Sequence, residues 1–447
     1  MPEDKKAKIL NLHSQGDKVK VETKKGTEEG IMMPSHDKEV IMLKLDNGYN
    51  MGFKKKDVNK ITVLEKAKSP KKTSEKLSKN KNLPTVAILH TGGTIASKVD
   101  YRTGGVVSSF EPAELVSLFP ELGKIANIES ELISQMWSDD LRFIHCTLIA
   151  KAVEKQVKKG VKGVIIGMGT DNLAVAAAAL SFMFEKCPLP IIFVGSQRSS
   201  DRGSSDAGMN LICAANFIAE TDFAGVGICM HERADDKSCV ILSGTKTYKL
   251  HSSRRDAFKA VNTEPLARVD YKTGKVEFLQ KNYPNHNYPN YPNSNAELVV
   301  KSKMEEKLGL LKIHINMFPE QFEFFKGFKG LILEGTGLGH TPGQVPNKES
   351  EIHKKIYPAL KKVIDSGCIV VMTTQCLFGR VNMNVYDKGR DLLDLGIISG
   401  KDMLANTALV KLSWLLGNYK KVEAEKMIGE NLRGEINDKL KFEEEFI

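Results

Sequence analysis

Residues 85–94 read Thr-Val-Ala-Ile-Leu-His-Thr-Gly-Gly-Thr. The apolar run is too short for a helix and ends in a polar, glycine-rich turn. That is the pattern of a buried strand delivering its last residues to an exposed edge. Three more runs of this kind follow: GVKGVIIGMG at 160–169, PLPIIFVG at 188–195 and GVGICMH at 225–231. Between them lie an alanine-rich segment starting at Ala174 and residues 207–218, both with apolar residues at helical spacing. Fully apolar strands alternating with helices predict a parallel sheet covered on both faces. A second block of this type starts near Gly309, with LLKIHI, GLILEG, a helix around 351–365, CIVVMTT and further helices. The predicted fold class is α/β, with two lobes of helix-flanked parallel sheet.

Ahead of the first block the pattern differs. Residues 16–64 alternate apolar and polar residues in short runs broken by glycine turns, among them GDKVKVET, EVIMLKL and the turn Asp46-Asn47-Gly48. This predicts a small all-β, barrel-like domain. KAKSPKKTSEKLSKNKN at 66–82 has seven lysines, one glutamate and no aromatic residue, and it reads as a linker. The expected division is a β domain at 1–65, the linker at 66–82, a larger α/β lobe at 83–300 and a smaller lobe with C-terminal helices at 301–447. The NYPN-rich stretch at 282–294 reads as a local insertion in a loop.

The chain has 447 residues, 41% hydrophobic and 27% charged, which is globular composition with material for a large core. A disordered chain, a collagen-like repeat and a small disulfide scaffold are excluded. The longest apolar run, 173–184, is well short of the ~20 residues that span a bilayer, and the first ten residues contain no apolar signal segment. Seven cysteines without any C-x-x-C pair read as reduced thiols of a cytoplasmic protein, with no zinc site. The net charge of +10 is uneven, because residues 1–84 hold 20 lysines against 12 acidic groups and no arginine. Lysine attracts phosphates as a point charge but lacks the planar fork that reads base edges. A solvated, solubilising arm is the plainer reading.

Chemistry in an open α/β sheet is expected beyond the C-terminal ends of its strands. Four such ends carry small polar residues: 90–94, 167–172, 195–198 and 335–339. No phosphate-cradling G-x-x-x-x-G-K-[ST] loop, G-x-S-x-G elbow or H-E-x-x-H helix is present. Thr91 and Thr170 stand out. A threonine at a strand end becomes a nucleophile when a neighbour takes its proton, and flanking glycines let backbone N–H groups face an oxyanion. Each loop alone is more often only a turn; the combination is specific.

TGGTIAS at 91–97, with Tyr101 and Gly104 beyond it, resembles the first signature of bacterial-type L-asparaginases. Gly169-Thr170-Asp171 resembles the second, ISQMWSDD at 133–140 the substrate loop, and TYKLHSSRRDAFKAVN at 247–262 the lysine segment. The likeness spans roughly residues 84–425. Within that family the chain resembles the D subunits of archaeal-type glutamyl-tRNA(Gln) amidotransferases. GIMMPS, KLDNGYNMGF, LEGTGLGHTP, GRVNMNVYDKGRDLL and ALVKLSWLLG carry that likeness.

The resemblance implies Thr91 as primary nucleophile, with Tyr101 relaying its proton. It implies a second constellation of Thr170, Asp171 and Lys249, in which Lys249 orients and polarises Thr170 and Asp171 also holds the substrate's α-ammonium. Ser134 and Gln135 would contact the amino-acid head group, and Ser196 lies where the family's amide-contacting loop lies. Two positions depart from the family pattern: Met168 stands where histidine is common and Asn172 where threonine is. Outside the pattern, His251 and His340 read as structural histidines, while Arg254 and Arg255 fit structural or interface pairs as well as substrate contact. The implied substrate is glutamine or asparagine, with no metal or cofactor held by this chain. The implied partner is the E subunit of the same amidotransferase, in a heterodimer or a dimer of heterodimers. That partner would use ATP and Mg and carry most contacts to Glu-tRNA(Gln). A free-standing L-asparaginase and a non-catalytic scaffold module are the alternatives.

Overall fold

In the computed structural model the described residues are 16–33, 35, 37, 39–45, 50–66, 80–93, 97–99, 106–108, 119–198, 205–285 and 297–440. Near the N-terminus the alternating pattern becomes five antiparallel strands: β1 (Lys18–Thr23), β2 (Gly26–Met33), β3 (Val40–Leu45), β4 (Asn50–Lys54) and β5 (Val58–Glu65). Their order across the sheet is β4-β3-β2-β1-β5. Val19, Val21, Ile41, Leu43, Val58 and Ile61 face inward as its core. Every second side chain points the same way, so the lysines of β1 stay outside, with Lys20 opposite Glu29 at 3.6 Å. Most of the predicted linker, 67–79, and most of the NYPN stretch, 286–294, lie outside the described residues.

The main sheet has eight strands: β6 (Thr85–His90), β7 (Asn127–Leu132), β8 (Gly163–Gly167), β9 (Pro190–Val194), β10 (Gly225–His231), β11 (Ser238–Ser243), β12 (Ala267–Asp270) and β13 (Val276–Phe278). The order is β13-β12-β11-β10-β9-β8-β6-β7. Strands β6 to β10 run parallel, as the apolar runs predict. Strands β11 to β13 extend the edge antiparallel. The reason is the link between β10 and β11, residues 232–237. Six residues make a hairpin but not a crossover, which takes a dozen or more.

Successive residues of each parallel strand feed opposite faces. Leu89, Ile166 and Phe193 join helices α1 (Phe143–Val157) and α2 (Leu173–Met183) in one core. Ile88, Ile165 and Ile192 join helix α3 (Ala207–Glu220) in the other. Residues 174–179 are alanine-rich because α2 is buried on nearly all sides, where a small side chain allows close packing.

The second sheet is parallel, in the order β14 (Leu308–Lys312), β15 (Gly330–Gly335), β16 (Ile369–Thr374), β17 (Ile398–Ser399). Helix α4 (Ile356–Asp365) covers one face with Ile356, Leu360 and Val363. Helix α5 (Ala405–Asn418) covers the other and packs onto the first lobe, where Trp414 stacks on Phe182 at 5.9 Å. The lobes therefore share a core. Two ion pairs have almost no solvent access, each at 2.6 Å: Lys246–Asp402 joins the lobes, and Lys411–Glu435 ties α5 to the C-terminal segment. Removing one partner of such a pair strands a buried charge, so Lys246–Asp402 constrains the docking strongly.

Candidate functional site

Strand β6 has β7 on one side and β8 on the other, so the chain reverses its direction of travel across the sheet at β6. A reversal of this kind leaves a crevice beyond the carboxyl ends of the two strands. Thr91 follows β6 and Thr170 closes the turn after β8, so both threonines lie at that crevice. The Thr91 N–H donates to the Gly167 carbonyl at 3.0 Å, and its own carbonyl accepts from Met136 N–H at 3.1 Å. Thr91 is thereby clamped between the 168–172 turn and the loop bearing Ser134 and Gln135. Ser134 is half-buried and Gln135 exposed.

Two glycines permit the clamp. Gly92 and Gly93 have φ of +96° and +82°, a left-handed conformation that side chains disfavour. A Cβ on Gly93 would lie 2.4 Å from the Gly169 nitrogen, and one on Gly92 would lie 2.8 Å from the backbone of Met136. Glycine is required here because three backbone segments touch.

Lys249 ends a short strand, Thr247–Lys249, which pairs with Phe258–Ala260; buried Phe258 sits opposite it. Its Nζ donates to Thr170 Oγ1 at 2.8 Å and to Asp171 Oδ1 at 2.7 Å. The lysine side chain is 14% exposed and the carboxylate 65% exposed, so the acid opens to solvent while its cation lies behind it. Gly195, before Ser196, lies against the methyl of Thr170. The Ser196 hydroxyl is buried and donates to Asp206 Oδ1 at 2.9 Å. Tyr101 lies outside the described residues.

The two departures have structural roles. Met168 is a buried core residue. Asn172 Nδ2 donates to the Ser138 carbonyl at 2.8 Å, binding the second turn to the loop that carries Ser134 and Gln135. Ser138 and Asp206 are residues that the sequence reading did not single out. Asp206 is fully buried and accepts from Gln197 N–H, Arg198 N–H and Asn210 Nδ2, so it shapes the loop after β9. An aspartate ahead of a helix signals an N-cap, but this one turns back to the loop instead. His90, just before Thr91, is buried, with Nε2 3.0 Å from Ser130 Oγ; burial pushes its pKa down to about 4, so it is neutral.

The remaining candidates have partners of their own. Arg254 forms a two-pronged pair with Asp256, and Arg255 pairs with Asp236. His251 Nδ1 accepts from the Ser253 and Arg254 N–H groups. Residues 335–339 form a turn closed by Thr336 and His340 in the other lobe. Six cysteines are buried and Cys376 is exposed. Among the described residues no cluster of potential metal ligands occurs, and no helix is long and apolar enough to cross a membrane.

Comparison with known proteins bears on the family and the fold. Residues 85–284 match the asparaginase N-terminal domain family, 307–428 the glutaminase/asparaginase C-terminal domain and 13–64 the GatD N-terminal domain. The D subunit of the glutamyl-tRNA(Gln) amidotransferase from Pyrococcus furiosus is 44% identical over 427 residues, covering 94% of this chain and 93% of that protein. The chain belongs to the family of glutamyl-tRNA(Gln) amidotransferase D subunits. The family's member from Thermococcus kodakarensis is 42% identical over 440 residues, covering 96% of each. Among solved structures, the thermostable L-asparaginase from Thermococcus kodakarensis aligns with a TM-score of 0.68 and 28% identity, covering 79% of this chain and all of that one. The asparaginase-like part is thus an amidohydrolase fold, and the antiparallel β domain precedes it.

Proposed function

We propose that this chain hydrolyses the side-chain amide of glutamine or asparagine through a threonine ester and supplies the ammonia to a partner protein. The observation that carries the reading is the contact of Lys249 with both Thr170 and Asp171, one strand away from Thr91. Thr91 Oγ attacks the amide carbon, and its proton passes by way of Tyr101 towards the leaving nitrogen. Backbone N–H groups of the glycine turns face the oxyanion that forms. Collapse releases ammonia and leaves an acyl ester on Thr91, which water then hydrolyses to the free acid. Lys249 polarises Thr170 and balances Asp171, whose solvent-facing carboxylate receives the substrate's α-ammonium. Ser134 and Gln135 hold the head group, and the Ser196 loop lines the amide side.

No cofactor takes part in this half-reaction. The names of the relatives and the extra β domain support an acceptor reaction elsewhere: the amidotransferase's E subunit, with ATP and Mg, activates the glutamate of Glu-tRNA(Gln) in the cytoplasm, and the ammonia converts it to Gln-tRNA(Gln). The two chains form a heterodimer or a dimer of heterodimers. Thr91→Ala tests the reading. It should fold as the parent does and lose at least about 10²-fold in glutamine hydrolysis, the scale of a missing activated group. Ammonia release near the parental rate from the alanine variant would remove Thr91 from the nucleophile's place.

A further inference from the structure

We infer that Ser138 is a positioning residue that sets Asp171 for the α-ammonium of the substrate. The inference rests on the reading of Asp171 given above and extends it to a side chain outside the threonine–aspartate–lysine group. Three backbone segments converge at the crevice: 91–93, 133–138 and 168–172. The first meets the others at Gly92 and Gly93 and through main-chain hydrogen bonds. The second and third are joined by side chains, and both joints run through Ser138. Its Oγ accepts the Asp171 N–H at 3.1 Å, and its carbonyl accepts Asn172 Nδ2 at 2.8 Å.

Ser138 is buried, with 4% of its surface accessible, although its neighbour in sequence, Trp137, is exposed. Its side chain also closes the space above Gly169, where an added Cβ would lie 2.9 Å from the hydroxyl oxygen. The main chain at Asp171 therefore has one fixed anchor on the loop that carries Ser134 and Gln135. The carboxylate has the other, Lys249, at 2.7 Å. A carboxylate held at both its backbone and its oxygen presents its remaining lone pairs in one direction. That direction is fixed relative to the head-group loop rather than to the nucleophile. Ser138 thus couples recognition of the amino-acid end to the second turn.

Substrate discrimination separates this role from a general loss of packing. The full-length chain, with Ser138→Ala, is assayed for ammonia release from L-glutamine and from glutaramate, which keeps the amide and carboxylate but lacks the α-ammonium. Losing one hydrogen bond to a partly buried group predicts about a tenfold fall in kcat/KM for glutamine, mostly in KM. Turnover of glutaramate should change by less than about twofold, so the preference for glutamine collapses. Asn172→Ala, which cuts only the carbonyl joint, should retain most of the preference. Equal losses on both substrates in Ser138→Ala would overturn the inference, because a merely structural serine acts on both alike. Asp171→Asn is the control. If it abolishes the preference while Ser138→Ala leaves it intact, the reading of Asp171 stands and the role of Ser138 falls. If Asp171→Asn leaves the preference unchanged, the Asp171 reading fails and the inference fails with it.

Discussion

His90 shows how one buried residue beside Thr91 sets a pH limit. Its ring lies under the crevice against Ser130, and among the described residues nothing pairs with its Nδ1, which is buried. Burial lowers its pKa from 6.5 to about 4. In the unfolded chain it takes a proton below about 6.5; in the folded chain it does so only near 4. Between these values the unfolded state binds more protons, so stability falls as the pH drops through that window and is flat above it. At pH 5 the loss from this one group is about 2 kcal/mol. Urea unfolding of the parent and of His90→Gln at pH 7.5 and pH 5 should show the variant losing about 2 kcal/mol less on acidification. An identical acid loss in both proteins would refute the assignment.

The turns after β6 and β8 meet so closely that their geometry tolerates no side chain at the point of contact. Gly93 combines a φ of +82° with a gap to Gly169 that leaves no room for a methyl group. Gly93→Ala forces apart the turns after β6 and β8, the two that carry the threonines. The expected cost is about 1–3 kcal/mol of stability from overpacking and strain, with hydrolysis down at least about tenfold. Thermal unfolding and ammonia release read these separately. Parental activity in Gly93→Ala would mean that the close approach of the turns is dispensable. The same reasoning locates the limits of sequence reading at this scale. TGGT and GTD stand out because small residues at strand ends are rare in a core. Ser138 left no such mark, because its role depends on a contact across 33 residues of chain.

The whole molecule joins an asparaginase-like body to a β domain through a segment with a net charge of +6 at 66–82. Such a segment attracts phosphates without sequence preference and loses that attraction as salt rises. A protein that feeds ammonia to a partner should consume little glutamine on its own. Turnover is therefore expected to rise when the partner, ATP and Glu-tRNA(Gln) are present. Deleting residues 1–82 should impair that stimulated rate more than basal hydrolysis. Ammonia release from the isolated chain and from the reconstituted complex makes the comparison. Equal, rapid turnover in both, unaffected by the deletion, would favour a free-standing asparaginase.

Local pattern was enough to read the class of the fold, and the motif resemblance singled out the two threonines, Asp171 and Lys249 as candidates. Apolar strand runs, helical spacing and glycine turns are short-range signals written into consecutive residues. The antiparallel edge β11 to β13, the helix α5 shared between the lobes and the buried pairs Lys246–Asp402 and Lys411–Glu435 were not legible. Nor were the anchoring roles of Ser138 and Asp206. Each depends on which distant segments meet, and that is decided by the packing of whole sheets and helices. A lysine that ends up inside the core is written with the same letter as one in solvent. Only the partner brought to it from 156 residues away, as Asp402 is to Lys246, makes the burial tolerable.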